Sequence, residues 1–286
     1  ERLIENTKTS DFPFWLVPEI KKLGVNGVQI KDFGGPGMTN LEVGAIAYEM
    51  AKVDSSVATF YLVHNCIGQN VVDALGDYEQ RQRVISETIN MDKYICFGLT
   101  EPDNGSDASG LQTTAKKVEG GYLLTGQKRW IGNATFADYI VVWARNPHEN
   151  NNIQGFLVTK GSKGLTTSKI ENKYSLRIVQ NADITMDNVF VPDRNKLTHA
   201  KDFATGTNVI LESSRLCVAW MIVGNACGAY EAALKYCLKR KQFGRPIGTF
   251  QALAHRFSDL LIEMEQARSA VILGAGHLEA DRDTRE

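Results

Sequence analysis

The hydrophobic period of this chain changes twice, from helical to β-like near Ile95 and back to helical near Thr207. Residues 1–94 read as helices. Met38 to Lys52 and Val63 to Leu75 carry apolar residues at helical spacing, broken by Gly34-Gly35-Pro36-Gly37 and by Gly76-Asp77. Residues 95–206 read as short strands between turns, clearest at Tyr122–Leu124, Asp138–Trp143, Gly155–Val158 and Asp183–Met186, with Asn146–Asn152 as an exposed loop. Residues 207–286 return to helix, with Phe250, Leu253, Phe257, Leu260, Leu261 and Met264 forming one stripe. Helices, then strands, then helices predict an α+β protein.

At the first of these junctions stands Phe97-Gly-Leu-Thr-Glu-Pro-Asp-Asn-Gly-Ser-Asp-Ala-Ser-Gly110. Its strand-like start ends in Thr100, whose hydroxyl can face a ligand, and Pro102 with Asp103-Asn104-Gly105 sets a tight turn. Gly105 lets backbone approach a ligand closely, and Ser106 adds a hydroxyl and a backbone N–H. Such a loop binds phosphate or the edge of a flat heteroaromatic ring, or is a plain surface turn. The segment resembles the first signature of the acyl-CoA dehydrogenase and acyl-CoA oxidase flavoenzymes, Gly-Leu-Thr-Glu-x-x-x-Gly-Ser-Asp-x-x-Gly. In the same order and spacing, Gly126-Gln-Lys-Arg-Trp-Ile-Gly-Asn133 resembles the family's second flavin segment, and Val191-Pro192 its close of the middle domain. Arg240-Lys-Gln-Phe-Gly244 with Phe250-Gln251 resembles the start of its C-terminal helical pair. Phe33–Gly37 and Asp54-Ser-Ser56 also fall where the family has counterparts. The chain as a whole looks nearest the glutaryl-CoA dehydrogenase and plant short-chain acyl-CoA oxidase branch.

The resemblance implies an N-terminal helical domain over 1–94, a β-barrel-like middle domain over 95–206 and an incomplete C-terminal helical bundle over 207–286. It implies FAD as cofactor. No GxGxxG follows any strand, so a Rossmann site is not expected. The backbone of Phe97, Gly98 and Leu99 would lie along the flavin, Thr100 would hydrogen-bond its ring, and Gly105 and Ser106 would approach the pyrophosphate or the acyl-CoA. Trp130 would pack on the isoalloxazine, with Ile131 and Gly132 along its edge; the bland reading of Trp130 is core packing. Dehydrogenases of the family usually carry Thr or Ser where this chain has Gly132, and several oxidases resemble this chain there. A missing hydroxyl beside the flavin N5 would admit dioxygen; otherwise Gly132 serves a turn before Asn133. Arg240, Gln242 and Phe243 would reach the flavin of a neighbouring subunit, implying a homo-oligomer, a tetramer in the family. The bland reading there is a solvated basic helix end.

On the substrate side, Glu212 and Arg215 fall where family members contact the pantetheine and phosphates of acyl-CoA, Glu212 serving otherwise as a favourable charge at a helix start. Glutaryl enzymes bind a distal carboxylate with an arginine where this chain has Ala58. A carboxylate left unpaired there would be costly, so a monocarboxylic acyl-CoA is expected, and Phe60 and Tyr61 point to a short chain. Removal of the C2 proton needs a carboxylate base. Most family members carry it late in the C-terminal domain, and a minority at the position of Ser214, which cannot act as one. The expected glutamate lies beyond residue 286, and a homologue that binds acyl-CoA without turnover is the reading of another class.

With 32 basic against 33 acidic residues the chain offers no basic field for nucleic acid or an acidic membrane surface. Its most apolar run, Leu216–Val223, is shorter than the roughly 20 residues of a span. The cysteines, Cys66, Cys96, Cys217, Cys227 and Cys237, show no CxxC pair and no metal spacing. Both ends read as cut, with Glu1 in place of a methionine and the charged run Asp281–Glu286 at the other end. No targeting signal is visible; a peroxisomal location is favoured, with the mitochondrial matrix as the alternative.

Overall fold

The computed structural model describes residues 2–283. The last residues of the terminal charged run, and Glu1, lie outside the described residues. The protein is α+β, and its packing forms two compact units, Glu1–Met38 with Thr59–Ser214, and Thr39–Ala58 with Arg215–Glu286.

The first unit holds helices α1 (Arg2–Thr9), α2 (Val17–Lys22), α5 (Asn70–Leu75) and α6 (Tyr78–Thr88), and a seven-stranded sheet. Its strands are β1 (Ile95–Gly98), β2 (Thr114–Val118), β3 (Gly121–Ile131), β4 (Tyr139–Asn146), β5 (Asn152–Thr159), β6 (Leu165–Lys169) and β7 (Ala182–Pro192). The order is β1-β4-β2-β3-β7-β6, with β5 on the other side of β4. β1 and β4 are parallel, and β3 forms long antiparallel ladders with β2 and β7. Successive strand side chains point to opposite faces, so β4 divides between two cores. Val141 and Trp143 join Val71, Val84, Ile85 and Leu157 on the helix side. Ile140 and Val142 join Leu124, Phe156, Ile184 and Val189 on the other. α6 begins with the capping box of Asp77 and Gln80, and Gln80 Nε2 also donates to the carbonyls of Arg194 and Lys196, pinning the helix to the segment after β7.

The expected helix Val63–Leu75 is not uniform. Val63–Gln69 forms a π-helical segment between α4 (Ser55–Leu62) and α5. There His64 is fully buried; Nε2 bonds the Thr88 carbonyl at 3.0 Å and Nδ1 accepts the Ile95 N–H at 3.3 Å. Burial pulls this imidazole down to about 4, so it stays neutral and ties the segment to α6 and β1.

In the second unit, α3 (Asn40–Val53) is capped by Thr39 and Glu42. It packs on α7 (Thr207–Lys239) with no room for side chains between the backbones. A Cβ on Gly224 or Gly228 would overlap the Tyr48 or Lys52 carbonyl, and one on Gly44 would overlap the Trp220 ring. Lys52 pairs with Glu231 at 2.7 Å across this contact. At 33 residues α7 is long and apolar enough to cross a membrane, more than the run Leu216–Val223 foretold, and a third of its most apolar window is buried. The last helix, α8 (Gln251–Asp283), leaves Leu260, Leu261, Ile262 and Leu273 exposed, while Met264 and Val271 are covered. All five cysteines are buried.

Candidate functional site

The signature loop leaves the sheet after Gly98. Phe97 is half-buried, its ring 6.0 Å from Trp143, Leu99 is buried and Thr100 half-buried. The Thr100 carbonyl accepts the Arg129 N–H at 2.8 Å, so the chain continues beside the end of β3. The Glu101 N–H donates to the Asn104 carbonyl at 3.0 Å, closing the expected turn. Gly105 and Ser106 are exposed. Gly105 is not in a left-handed conformation, and a Cβ there would meet nothing within 4 Å. The turn does not need a glycine at that point; the open space suits a ligand coming close to backbone.

Beside the loop, β3 bulges. Its ladder with β7 steps from Lys128↔Ile184 to Ile131↔Ala182, so Arg129 and Trp130 together oppose Asp183. Trp130 has φ 62°, which a bulky residue adopts only when held there. Asn181 Nδ2 donates to its carbonyl at 3.1 Å, and Arg129 pairs with Asp183 at 3.4 Å. The bulge turns the indole outward, leaving Trp130 51 % exposed. Core packing is therefore excluded for this ring. Ile131 is buried and Gly132 half-buried. After the bulge the left-handed residue is Asn133, at φ 64°, and not Gly132. A Cβ on Gly132 would lie 3.2 Å from Val63 Cγ2.

Thr100, Gly105 and Ser106 on the loop, with Trp130 at the bulge, form a set that fits a flavin by the chemistry of its groups. It combines a hydroxyl, an open glycine and a flat aromatic surface on adjacent segments. Asn133 Nδ2 donates to the Phe60 carbonyl at 3.2 Å, while its buried Oδ1 has no partner.

Two buried charges stand behind this face. Lys128, fully buried, bonds Glu101 Oε1 at 2.8 Å and the Leu99 carbonyl at 3.0 Å. Glu101 also accepts the N–H groups of Gln112 at 2.6 Å and Thr113 at 2.9 Å and the Thr113 hydroxyl at 2.5 Å. Burial alone would raise its carboxyl, but Lys128, Thr113 and the Gln112 N–H hold it below the ordinary value. Lys128, Thr113 and Asn181 were not foreseen as site residues. A signal existed for the lysine: it shares the even parity of the buried Tyr122 and Leu124 on β3, which points it inward, toward an acid.

Phe60 and Tyr61 correct an expectation. Phe60 packs 4.5 Å from the Phe12 ring and 6.2 Å from Phe136, and the Tyr61 hydroxyl donates to the Val25 carbonyl at 2.5 Å. Both are core residues, so their size says nothing about acyl length. Ala58 is fully buried. On α7, Glu212 and Arg215 are exposed, whereas Ser214 is buried with its hydroxyl bonded to the Leu211 carbonyl. Arg240, Gln242 and Phe243 sit at a small hairpin of β8 (Lys241–Gln242) and β9 (Arg245–Pro246) between α7 and α8. All three are exposed, Phe243 to 94 % and at φ 51°.

Three family models match in sequence order: the acyl-CoA dehydrogenase N-terminal domain over residues 2–92, the middle domain over 96–189 and the C-terminal domain over 205–286. The chain belongs to the acyl-CoA dehydrogenase family. An acyl-CoA dehydrogenase of Bacillus subtilis is 33 % identical over 267 residues, covering 92 % of this chain and 70 % of that protein. The CarC subunit of the caffeyl-CoA reductase–Etf complex of Acetobacterium woodii is 34 % identical over 275 residues, covering 95 % and 72 %. A glutaryl-CoA dehydrogenase of Mycobacterium smegmatis in complex with FADH2 superposes with a TM-score of 0.92 at 27 % identity, covering 96 % of this chain and 70 % of that one. The chemistry of this acyl-CoA dehydrogenase family member is FAD-dependent acyl-CoA dehydrogenation.

Proposed function

We propose that this acyl-CoA dehydrogenase family member oxidises a monocarboxylic acyl-CoA between C2 and C3, with FAD held against the face of Thr100 and Trp130. The observation that carries the reading is the bulge at Arg129–Trp130, which places a half-exposed indole beside the Thr100 segment. Bound there, the flavin supplies the acceptor for the hydrogen leaving C3. The Thr100 hydroxyl orients the ring, Trp130 covers it and excludes water, and Gly105 and Ser106 leave the approach for the pyrophosphate. Arg240, Gln242 and Phe243, exposed on their hairpin, serve the flavin of a second copy in a homo-oligomer, a tetramer on the family pattern; a guanidinium suits a diphosphate. Glu212 and Arg215 contact the acyl-CoA. The relative of M. smegmatis is a glutaryl-CoA dehydrogenase by name, but α4 here (Ser55–Leu62) has no cation to meet a second carboxylate.

Neither Ser214 nor Glu101 is available as the base for the C2 proton. The Ser214 hydroxyl is bonded within its helix, and Glu101 is committed to Lys128. The committed Ser214 and Glu101 side chains favour a second reading, an acyl-CoA-binding homologue without turnover. The acceptor also has two readings. Gly132 favours dioxygen, as in the oxidase branch, and with it a peroxisomal location. The alternative is a protein acceptor, with the mitochondrial matrix as location, and the A. woodii relative belongs to a complex named for Etf.

The test uses holoprotein and Trp130→Ala. FAD affinity falls at least tenfold in the variant while the melting temperature barely moves, because the ring is half exposed. Anaerobic addition of a short straight-chain acyl-CoA then bleaches the flavin of the parent. A parent that does not hold FAD overturns the proposal, and flavin that stays oxidised with saturating acyl-CoA selects the binding homologue.

A further inference from the structure

We infer that Lys128 and Glu101 are positioning residues, which fix the height of Thr100 against the flavin by holding the residues on both sides of it. The inference rests on the flavin reading above and deepens it. One ammonium, Lys128 Nζ, bonds the carbonyl of Leu99 at 3.0 Å and the carboxylate of Glu101 at 2.8 Å, the residues immediately before and after Thr100. The third hold is the Thr100 carbonyl itself, on the Arg129 N–H at 2.8 Å. Lys128 and Arg129 are adjacent, so the same two residues of β3 that enter the bulge of Trp130 also clamp the loop. The hydroxyl side and the indole side of the flavin face therefore share one anchor.

The carboxylate is fastened independently of the lysine. Thr113 supplies an N–H and a hydroxyl, and Gln112 an N–H, all to Glu101. Thr113 comes this close because Gly126 faces it: a Cβ on Gly126 would lie 2.5 Å from Thr113 Oγ1. Packing holds the chain before Thr100, where Leu99 is buried in the core, but not the turn after it. Pro102 and Asp103 are exposed and, with Asn104, border an open pocket of about 190 Å³ shared with Gln112, Thr113 and Gln127. After Thr100 the chain therefore takes its position chiefly from its hydrogen bonds. Burial pulls the Lys128 ammonium down to about 8, with Glu101 acting against that pull, so the pair is charged at neutral pH.

The experiment compares parent holoprotein with Glu101→Gln and with the double variant Lys128→Met/Glu101→Gln. The double variant removes both charges and leaves no buried ion unpaired. FAD dissociation constants, the visible flavin spectrum and apoprotein melting are read for each. The expected result is a tenfold or greater loss of FAD affinity and a shifted flavin spectrum in the double variant, with apoprotein melting within a few degrees of the parent. Glu101→Gln keeps the side chain's shape but leaves the buried Lys128 ammonium without its carboxylate, and shows a loss of FAD affinity in the same direction together with lower apoprotein melting. If both variants bind FAD as tightly as the parent, with its spectrum, the inference is overturned while the flavin reading stands. If the double variant's loss of affinity merely tracks a loss of apoprotein melting, the pair is structural alone and the inference fails. A parent without FAD overturns both.

Discussion

Val63, on the π-helical segment, faces Gly132 across the end of β3, its Cγ2 3.2 Å from where a Cβ on Gly132 would lie. The glycine keeps a space that a valine methyl borders, and anything larger presses on that methyl. Gly132→Thr is expected to lose about 1–3 kcal/mol of stability by overpacking, recovered in part by Val63→Ala. In holoprotein it should slow reoxidation of the reduced flavin by dissolved oxygen more than reduction by acyl-CoA. Stopped-flow measurement separates the two half-reactions. A parent whose reduced flavin ignores oxygen selects the protein acceptor.

His64 sets a pH dependence. Its folded value of about 4 lies below the ordinary 6.5, so between these values the unfolded chain binds a proton that the folded chain refuses. Stability is therefore full above pH 6.5 and declines as the pH falls toward 4, by roughly 3 kcal/mol for this one group. Urea denaturation at a series of pH values, with His64→Gln beside the parent, checks it. The variant should show a flatter profile over that window.

Two glycines on neighbouring helices should respond in opposite directions to the same substitution. Gly228→Ala drives a methyl into the Lys52 carbonyl and should destabilise by about 1–3 kcal/mol. Gly276→Ala, on α8 with nothing within 4 Å, should stabilise by up to about 1 kcal/mol through helix propensity. Thermal melting of the two variants gives the signs directly, and equal signs would count against the close α3–α7 contact.

Arg240 tests the shared cofactor. Its exposure on the hairpin makes a stabilising role within one copy small. Arg240→Ala should nevertheless weaken FAD retention, by roughly tenfold to a hundredfold for one lost charge-assisted phosphate contact. Sedimentation should show the oligomer loosening in parallel. Retention of both properties reduces Arg240 to a solvated helix end.

Local order along the chain was legible from residues alone. The change of period placed the sheet between helices, and β3, β4, β5 and β7 cover the four runs read as strands but for Asp138, one residue before β4. Thr39 with Glu42 and Asp77 with Gln80 start helices where the glycine breaks foretold them. The turn after Thr100 likewise follows from its own proline, asparagine and glycine. These are properties of neighbours in sequence, and short-range sterics and hydrogen bonding decide them. What lay beyond the sequence depended on residues far apart. Trp130 faces outward only because β7 imposes a bulge and Asn181, 51 positions on, holds its carbonyl. Lys128 is buried because Glu101, 27 positions earlier, meets it there, and a lysine without that partner would have been pushed to the surface. Phe60 and Tyr61, read as pointing to a short acyl chain, are core, because Phe12, Phe136 and Val25 take their side chains. Periodicity tells which way a side chain points along its own element; which groups wait there is settled only when distant segments pack.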